Sequence, residues 1–372
     1  MIYDKTDWAL RNLKGLKPIC CEGCRADGNG TGTCSKCLMA QGYNRDKVET
    51  TLFVVDNCMR EYHDRSDGHP TFKSMLYRMP DERPYLYYGI EIEVEFHADE
   101  LTVFDYDEYD EYCGVSDDAQ EVVKKFIEIT GGMFICEKDG SLDNGVEFIS
   151  RPTSYKRWTD PDTVAKMKAG FDYLKSKGAR IEQPHTNGLH IHISSKFFDY
   201  GLKDKTKVED AYQNMDWLFQ FYQTEIEKIG GREYTGYCQS KMAKIKDQYN
   251  IGQSNRSNRY NVEFELKGKM RKSPMTCDDH YSAITISGRT IEGRVFNSTI
   301  DHNQVLACIE MMRNLAHSVR GGEIVGKTFR ELLSTKESPY LDKLLDNLSK
   351  AYKDDSKEFN LDKVCEDEMV VE

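Results

Sequence analysis

The chain has 372 residues, of which 39% are hydrophobic and 31% charged, and its formal net charge is −12 at pH 7. This composition can fill a core, which excludes global disorder, and the length allows either one large domain with an appendage or two domains. The negative charge argues against a general nucleic-acid-binding protein, whose surface would be basic. The chain has no apolar run of the roughly 20 residues that span a bilayer, and its first residues show no apolar signal region, so we expect a cytoplasmic protein.

The N-terminal segment is rich in cysteine. Five of the twelve cysteines lie between Cys20 and Cys37, and they include two CxxC pairs separated by nine residues. Such pairs can place four thiolates around one tetrahedral zinc ion, while the glycines between them let the loop turn back. The predicted zinc ligands are Cys21, Cys24, Cys34 and Cys37, and Cys20 could take the place of Cys21. We therefore predict that residues 1–80 form a zinc knuckle or ribbon and a linker.

A strand with two different faces is predicted directly after this segment. Tyr88–Phe96 alternates between apolar residues and the acids Glu91, Glu93 and Glu95. Like charges on one face repel unless water or cations screen them. The acidic face is therefore either a solvent-facing edge or part of a binding site.

The other elements follow from hydrophobic periodicity and from capping residues. Helices are predicted near Ala119–Thr130, from Asp160 to about Gly178, from about Lys207 to Ile229, and from Asn303 onward. Strands are predicted at Val146–Ser150, Gly188–Ser194, Tyr260–Leu266, Ala283–Ile286 and Thr290–Phe296, and a solvated acidic loop at Asp105–Glu111. The pattern predicts an α+β fold with a mainly antiparallel sheet.

Several of these strands present an acid or a histidine opposite an apolar face. The residues concerned are Glu147, His190, His192, Glu292 and Arg294. Carboxylates with one or two imidazoles suit hard divalent cations bridged to phosphates, and an arginine can hold a carboxylate or a phosphoryl group with two hydrogen bonds. The set is more typical of phosphoryl transfer than of hydrolysis by zinc, although His190 and His192 could hold zinc.

Four ordered motifs carry a family resemblance. GIEIEVEF, DGSLDNGVEFISRP, NGLHIHIS and TIEGRVF lie between Tyr88 and Asp301. Together they resemble the amidoligase family of the glutamine synthetase-like carboxylate–amine ligases, and they are similar to the glutamate–cysteine ligases. The resemblance implies a curved, mainly antiparallel sheet with helices packed on one face, whose concave face holds ATP and metal ions. It predicts an amidoligase-like catalytic domain at 81–330, followed by a helical, acidic tail at 331–372.

The resemblance also implies roles for individual residues. Glu91, His190 and Glu292 would hold the Mg²⁺ or Mn²⁺ that bridges the terminal phosphates of ATP. Glu93 and Glu147 would hold the metal nearer the carboxylate substrate, and Arg294 would neutralise the transferring phosphoryl group. Matches expected to position substrates are Asp139, Ser141, Asn187 with Gly188, His192, Arg232 and Arg259. For Arg232 the alternative is a charge at a helix end, and for Arg259 it is a surface residue at a strand end.

The predicted reaction is an ATP-dependent condensation of a carboxylate with an amine through an acylphosphate. ATP cleavage supplies the leaving group, and the protein positions the reactants and neutralises charge. Asp139 and Glu95 are both candidates for the base that accepts the amine proton. The amine could be an amino acid, a polyamine, a peptide or protein lysine, or free ammonia. The acid could be an amino acid or a peptide or protein side chain, and the zinc segment could dock such a macromolecule. The alternatives are a guanidino or protein kinase and a catalytically inactive zinc-containing binding module.

Overall fold

The computed structural model describes residues 59–60, 86–106, 112–180, 187–199, 205–233, 238, 282–286, 290–321, 324–353 and 359–366. The chain forms two compact units: the first is drawn from Met1–Glu82 and Gly89–Ile181, and the second from Arg83–Tyr88 and Glu182–Glu372. Within the described residues, no helix is both long and apolar enough to cross a membrane. The predicted zinc ligands, Arg259 and the predicted strand Tyr260–Leu266 lie outside the described residues.

The first unit contains a mainly antiparallel sheet. Its strands are β1 (Met59–Arg60), β2 (Tyr88–Phe96), β5 (Phe134–Glu137), β6 (Gly145–Ser150) and β7 (Ala179–Arg180), and a separate hairpin is formed by β3 (Phe104–Tyr106) and β4 (Tyr112–Val115). The strands β5, β6 and β2 are consecutive antiparallel neighbours, β1 adds to β5 in parallel, and β7 pairs with the end of β2. The alternation of apolar and acidic residues therefore predicted β2 correctly. The predicted solvated loop at Asp105–Glu111 is wrong at its start, because Asp105 lies within β3.

Helices cover the apolar face of this sheet. They are α1 (Asp117–Ile129), α2 (Tyr155–Trp158) and α3 (Pro161–Lys175). The first begins at a Ser116 cap and is followed by two glycines with positive φ, and the third begins at an Asp160 cap with proline in its first turn, as the sequence predicted. The ring of Phe126 lies 4.3 Å from that of Phe148 and 5.3 Å from that of Phe134, measured between centroids. The carboxylates on β2 and β6 therefore lie on the face turned away from α1.

The described part of the second unit contains three antiparallel strands. They are β8 (Gly188–Ser194), β9 (Ile284–Ile286) and β10 (Thr290–Asn297), in the spatial order β8–β10–β9. The helices are α4 (Lys196–Asp199), α5 (Lys205–Phe221), α6 (Gln223–Gly230), α7 (His302–Arg320), α8 (Phe329–Leu333) and α9 (Pro339–Ala351). A side chain at Gly293 would meet the sulfur of Met312 at 2.8 Å, so α7 packs directly on β10. Both units together give the predicted α+β class.

The predicted helix from about Lys207 to Ile229 is wrong in one respect, because it is interrupted at Tyr222. There φ is −102° and ψ is 29°, and a new helix starts at Gln223. The helical repeat of apolar residues continues through the interruption, and for this reason the sequence predicted one helix. The predicted domain boundaries at 80/81 and 330/331 stay predictions.

Candidate active site

Three carboxylates on adjacent strands of the first unit form one row. In the sheet register Glu93 of β2 is directly opposite Glu147 of β6, which is directly opposite Glu137 of β5. Their exposed fractions are 4%, 3% and 5%, respectively. Glutamates on a solvent-facing edge would be exposed, so that interpretation of the acidic face of β2 is wrong. Ionised carboxylates are almost never buried this deeply unless opposite charge, such as a metal ion, neutralises them.

Asp139 joins this row from the turn after β5. Glu93, Asp139 and Glu147 each offer a carboxylate oxygen within 4.8 Å of the other two. The Asp139 carboxylate is held in place locally, because its Oδ1 accepts a hydrogen bond from the backbone N–H of Ser141 at 2.7 Å. From the sequence we expected Asp139 to position a substrate or to act as the base, whereas the structure brings it together with the two predicted metal ligands Glu93 and Glu147.

Within this cluster the ionised form of Glu147 is disfavoured. Burial raises the pKa of Glu147 well above its ordinary value, and the charges of Glu91, Glu93, Asp139 and Glu137 raise it further. A divalent cation among these oxygens would reverse that effect, because a positive charge favours ionised carboxylates. The all-oxygen donor set is the one that Mg²⁺, Mn²⁺ and Ca²⁺ prefer. Glu93, Asp139 and Glu147 therefore fit a hard divalent cation.

A second group of predicted residues lies on β8 and β10 of the second unit. Glu292 is directly opposite His192 in the strand register, and its Oε1 lies 3.6 Å from Nδ1 of the buried His190. Arg294 donates from Nη1 to the same oxygen of Glu292 at 2.5 Å. This charge-assisted bond fixes the direction of the guanidinium. His190, Glu292 and Arg294 are therefore one contiguous polar group.

Arg232 approaches the same group from the end of α6. Its side chain is buried, and Nη1 donates to the backbone oxygen of Arg294 at 3.3 Å. A Cβ placed on Gly188 would collide with the Arg232 guanidinium and would come within 2.8 Å of Nε2 of His190. The missing side chain of Gly188 thus leaves the room that Arg232 occupies. Arg232 does lie at a helix end, as its alternative interpretation had it, but its side chain is buried there rather than exposed.

Other predicted residues have plainer surroundings. Asn187 is buried just before β8, and its backbone oxygen accepts the N–H of Ser298 at 3.1 Å. Glu95 is 4% exposed, and its Oε1 lies 3.4 Å from the backbone nitrogen of Asp143. Glu137 was missed from the sequence. Glu137 follows the apolar run Phe134–Cys136, which shows no alternation. That Glu137 lies on the same face of the sheet as Glu147 could therefore be found only from the strand register.

The family comparison adds an independent result to this geometry. A family model described as "Putative amidoligase enzyme" matches residues 87–316, which is more than half of the chain. The chain belongs to the amidoligase family. No curated protein matches the chain. The amidoligase match confirms the resemblance inferred from the four motifs, and it supports ligase activity on carboxylate and amine substrates in general.

The match covers both groups of predicted residues. It begins next to β2, which carries Glu91 and Glu93, and it extends past β10, which carries Glu292 and Arg294. Glu91 belongs to the first unit, whereas His190 and Glu292 belong to the second. Their predicted sharing of one metal ion stays a prediction, as do the zinc ligands and Arg259.

Proposed function

We propose that this amidoligase is an ATP- and magnesium-dependent ligase that forms an amide bond through an acylphosphate. The observation that carries the proposal is the cluster of the buried Glu93 and Glu147 with the half-buried Asp139, in which each residue has a carboxylate oxygen within 4.8 Å of the other two. Such crowding of like charge is costly unless cations are bound there. A reaction that uses a nucleotide–metal complex accounts for both the cluster and the family match.

The cluster would hold Mg²⁺ or Mn²⁺ next to the acid substrate. Bound there, the ion would supply charge neutralisation for phosphate and carboxylate oxygens. Asp139 is proposed as the third protein ligand beside Glu93 and Glu147. Glu91, His190 and Glu292 are proposed for the metal that accompanies the terminal phosphates, and this assignment rests on the family resemblance.

The arginines are proposed to bind the anionic groups directly. Nη1 of Arg294 lies 2.5 Å from Oε1 of Glu292, which fixes the direction of the guanidinium and would preorganise it for contact with a phosphoryl oxygen. Arg232 is buried beside the Arg294 backbone, where a guanidinium can bind a substrate carboxylate or a phosphate. Asn187 and Gly188 adjoin this position and are proposed to approach the acid substrate. Ser141 and His192 retain the positioning roles implied by the resemblance.

Amide formation also requires a group that accepts a proton from the amine. Because Asp139 lies within the carboxylate cluster, we assign it to the metal and propose Glu95 as the base. Glu95 lies on the same face of β2 as Glu93, two residues further along the strand. Glu95→Gln should therefore slow the step that consumes the amine more than the step that cleaves ATP.

The substrates are proposed to be an acid and an amine carried by an amino acid, a peptide or a protein. The predicted zinc segment at 1–80 would help to dock a macromolecular substrate. Removal of this segment should then spare ATP turnover on small substrates and abolish modification of the macromolecule.

The proposal is tested by magnesium-dependent ATP turnover in the presence of pooled amino acids, peptides and amines. ADP, phosphate and new amides are measured by mass spectrometry. Glu147→Gln and Arg294→Lys should each lower the rate about a hundredfold or more. Asp346→Asn, which changes an exposed acid on α9, should leave it unchanged.

The products separate the ligase from its alternatives. An amide formed with stoichiometric ADP supports the ligase. A stable phosphorylated product without amide would replace it by a kinase, and failure to bind ATP with magnesium present would leave the inactive binding module.

A further inference from the structure

A segment near the C-terminus packs against the interruption between α5 and α6 and forms hydrogen bonds with it. At the interruption, the backbone oxygen of Phe221 accepts a hydrogen bond from Nζ of Lys363 at 2.7 Å. Carbonyl groups in the last turn of a helix have no hydrogen-bond donor within the helix. The ammonium group of Lys363 supplies such a donor where α5 ends. The same Nζ lies 4.6 Å from the centroid of the Phe221 ring and 3.8 Å from Oε2 of the buried Glu225.

Other bonds attach the rest of this segment, which we call the C-terminal strap (Phe359–Glu366). The buried Tyr222 places its hydroxyl 3.0 Å from the backbone oxygen of Lys363. Trp217 donates from Nε1 to the backbone oxygen of Glu366 at 3.2 Å. The strap therefore contacts the end of α5, the interruption itself and the first turn of α6. Glu225 in that first turn is 3% exposed, and burial raises its pKa, while the nearby ammonium of Lys363 and backbone hydrogen bonds lower it in part.

The far end of α6 leads directly into Arg232. The helix ends at Gly230 and is capped by Gly231, whose φ is 72° and whose N–H donates to the backbone oxygen of Glu227 at 2.7 Å. The oxygen of Gly231 accepts a hydrogen bond from the Asn297 side chain, and Gly231 forms a β-bridge with Phe296. Arg232 follows at once, and its guanidinium fits the space over Gly188. A displacement of α6 along its axis would therefore move Arg232.

We propose that the C-terminal strap is a positioning element for Arg232, and that Lys363 is the residue through which it acts. The strap fixes the start of the eight-residue helix α6, and the end of that helix fixes the guanidinium. A shift of about 1 Å at a substrate-binding group can lower a rate about a hundredfold. This proposal rests on the proposed function for its effect on catalysis, and on contacts within the second unit for the placement of Arg232.

The first test measures the exposure of Arg232 without reference to activity. Phenylglyoxal modification of arginines is followed by peptide mass spectrometry in the wild type, Lys363→Met and Lys363→Arg. Lys363→Met should raise the modification rate of Arg232 several-fold while the fully buried Arg151 stays protected. Lys363→Arg should stay near the wild-type rate because it keeps a positive charge within reach of Phe221. Lys350→Met, a charge removal at an exposed site on α9, is the matched control.

Unchanged protection of Arg232 in Lys363→Met would overturn the proposal. Equal loss of protection at Arg151 and Arg232 would also overturn it, because the strap would then stabilise the protein as a whole. Trp217→Phe removes only the bond to Glu366 and keeps the test decisive if Lys363→Met unfolds. It should expose Arg232 to a smaller extent.

The second test is a double-mutant cycle in the ATP turnover assay. Lys363→Met should lower kcat/KM about ten- to a hundredfold. Combined with Arg232→Lys, it should cause no further loss beyond that of Arg232→Lys alone, since both changes disturb the same group. Additive losses would refute the role of the strap in placing Arg232. An inactive wild type would refute the proposed function, while the modification experiment would still decide the placement of Arg232.

Discussion

Glu147→Gln should stabilise the metal-free protein, although it removes a buried side-chain charge. Glu147 is 3% exposed and lies in the middle of the carboxylate row, directly opposite both Glu93 and Glu137. Glutamine has nearly the same shape, carries no charge, and can donate hydrogen bonds to its carboxylate neighbours. The substitution therefore removes repulsion and leaves the packing in place.

The size of the effect follows from the spacing of the oxygens. At the 4.8 Å limit for the Glu93, Asp139 and Glu147 oxygens, one ionised pair repels by about 3.5 kcal/mol at an effective dielectric constant of ~20. The folded protein avoids part of this repulsion because Glu147 keeps its proton to a higher pH, as its raised pKa indicates. We therefore expect a net gain on the order of 1–3 kcal/mol, or several degrees in Tm.

The sign of the pH dependence is also determined. A carboxyl group whose folded-state pKa is raised binds its proton more tightly in the folded than in the unfolded state. Its contribution to stability is complete below the unfolded value of 4.5 and is lost as pH rises through the folded pKa. The advantage of Glu147→Gln should therefore be small near pH 4 and should grow toward pH 8.

The assay is thermal unfolding between pH 4 and pH 8, in EDTA and in millimolar MgCl₂ or MnCl₂. The wild type should gain stability from the cation, because ligands of the folded state stabilise it, and the variant should gain little. Glu128→Gln, an exposed glutamate on α1, is the control. The reasoning is refuted if Glu147→Gln lowers Tm in EDTA at pH 8, or if both proteins respond equally to the cation.

The remaining predictions concern other parts of the chain. Gly188→Ala should lower the rate of ATP turnover about tenfold or more, because the new Cβ would collide with the side chains of Arg232 and His190. A Cβ at Gly140 would have no atom within 4 Å, so Gly140→Ala should leave this rate unchanged. Glu310→Ala should lower the free energy of unfolding by about 2 kcal/mol in denaturant titrations, because Glu310 accepts a hydrogen bond from the Leu341 N–H at the start of α9 at 2.7 Å. Glu337 is exposed, so the control Glu337→Ala should change this free energy little. His317→Gln should make the folded protein less sensitive to acid. Burial, together with the charges of Lys336, Arg313 and Arg320, lowers the pKa of His317 to about 3. The contribution of His317 to the free energy of unfolding is therefore complete above pH 6.5 and is lost as pH falls toward 3, by up to about 1 kcal/mol per pH unit. Metal analysis should find about one zinc per chain in the wild type and none after Cys34→Ser and Cys37→Ser together; zinc retained by that double variant would contradict the predicted ligands.

The strands of the site were predictable because local alternation determines them. Ile90, Ile92 and Val94 needed one buried face, and this requirement placed Glu91, Glu93 and Glu95 on the other. Alternation does not say what covers the second face. For that reason the sequence left a solvent-facing edge open, and only the low exposure of Glu93 and Glu147 excluded it.

Features that depend on distant residues could not be predicted in this way. The interruption at Tyr222 is stabilised through its hydroxyl, which contacts the backbone of Lys327 and Lys363, residues 105 and 141 positions away. The assignment of Asp139 depends on a turn beyond the end of β5, where strand parity no longer applies. The helix pattern and the strand pattern were each correct locally, and tertiary contacts decided the rest.

The two described groups of charge differ in sign, and this difference bears on how the reaction divides between them. The cluster on β2 and β6 is composed of carboxylates, so it can attract a phosphate or a carboxylate substrate only through bound cations. The group on β8 and β10 contains Arg294, with Arg232 beside it, and it can bind such anions directly. Removal of divalent metal should therefore abolish the contribution of the first group and leave weak, salt-sensitive binding of ATP by the second. Binding of ATP that is equally tight in EDTA and in MgCl₂ would show that the carboxylate cluster serves some purpose other than holding the nucleotide's metal.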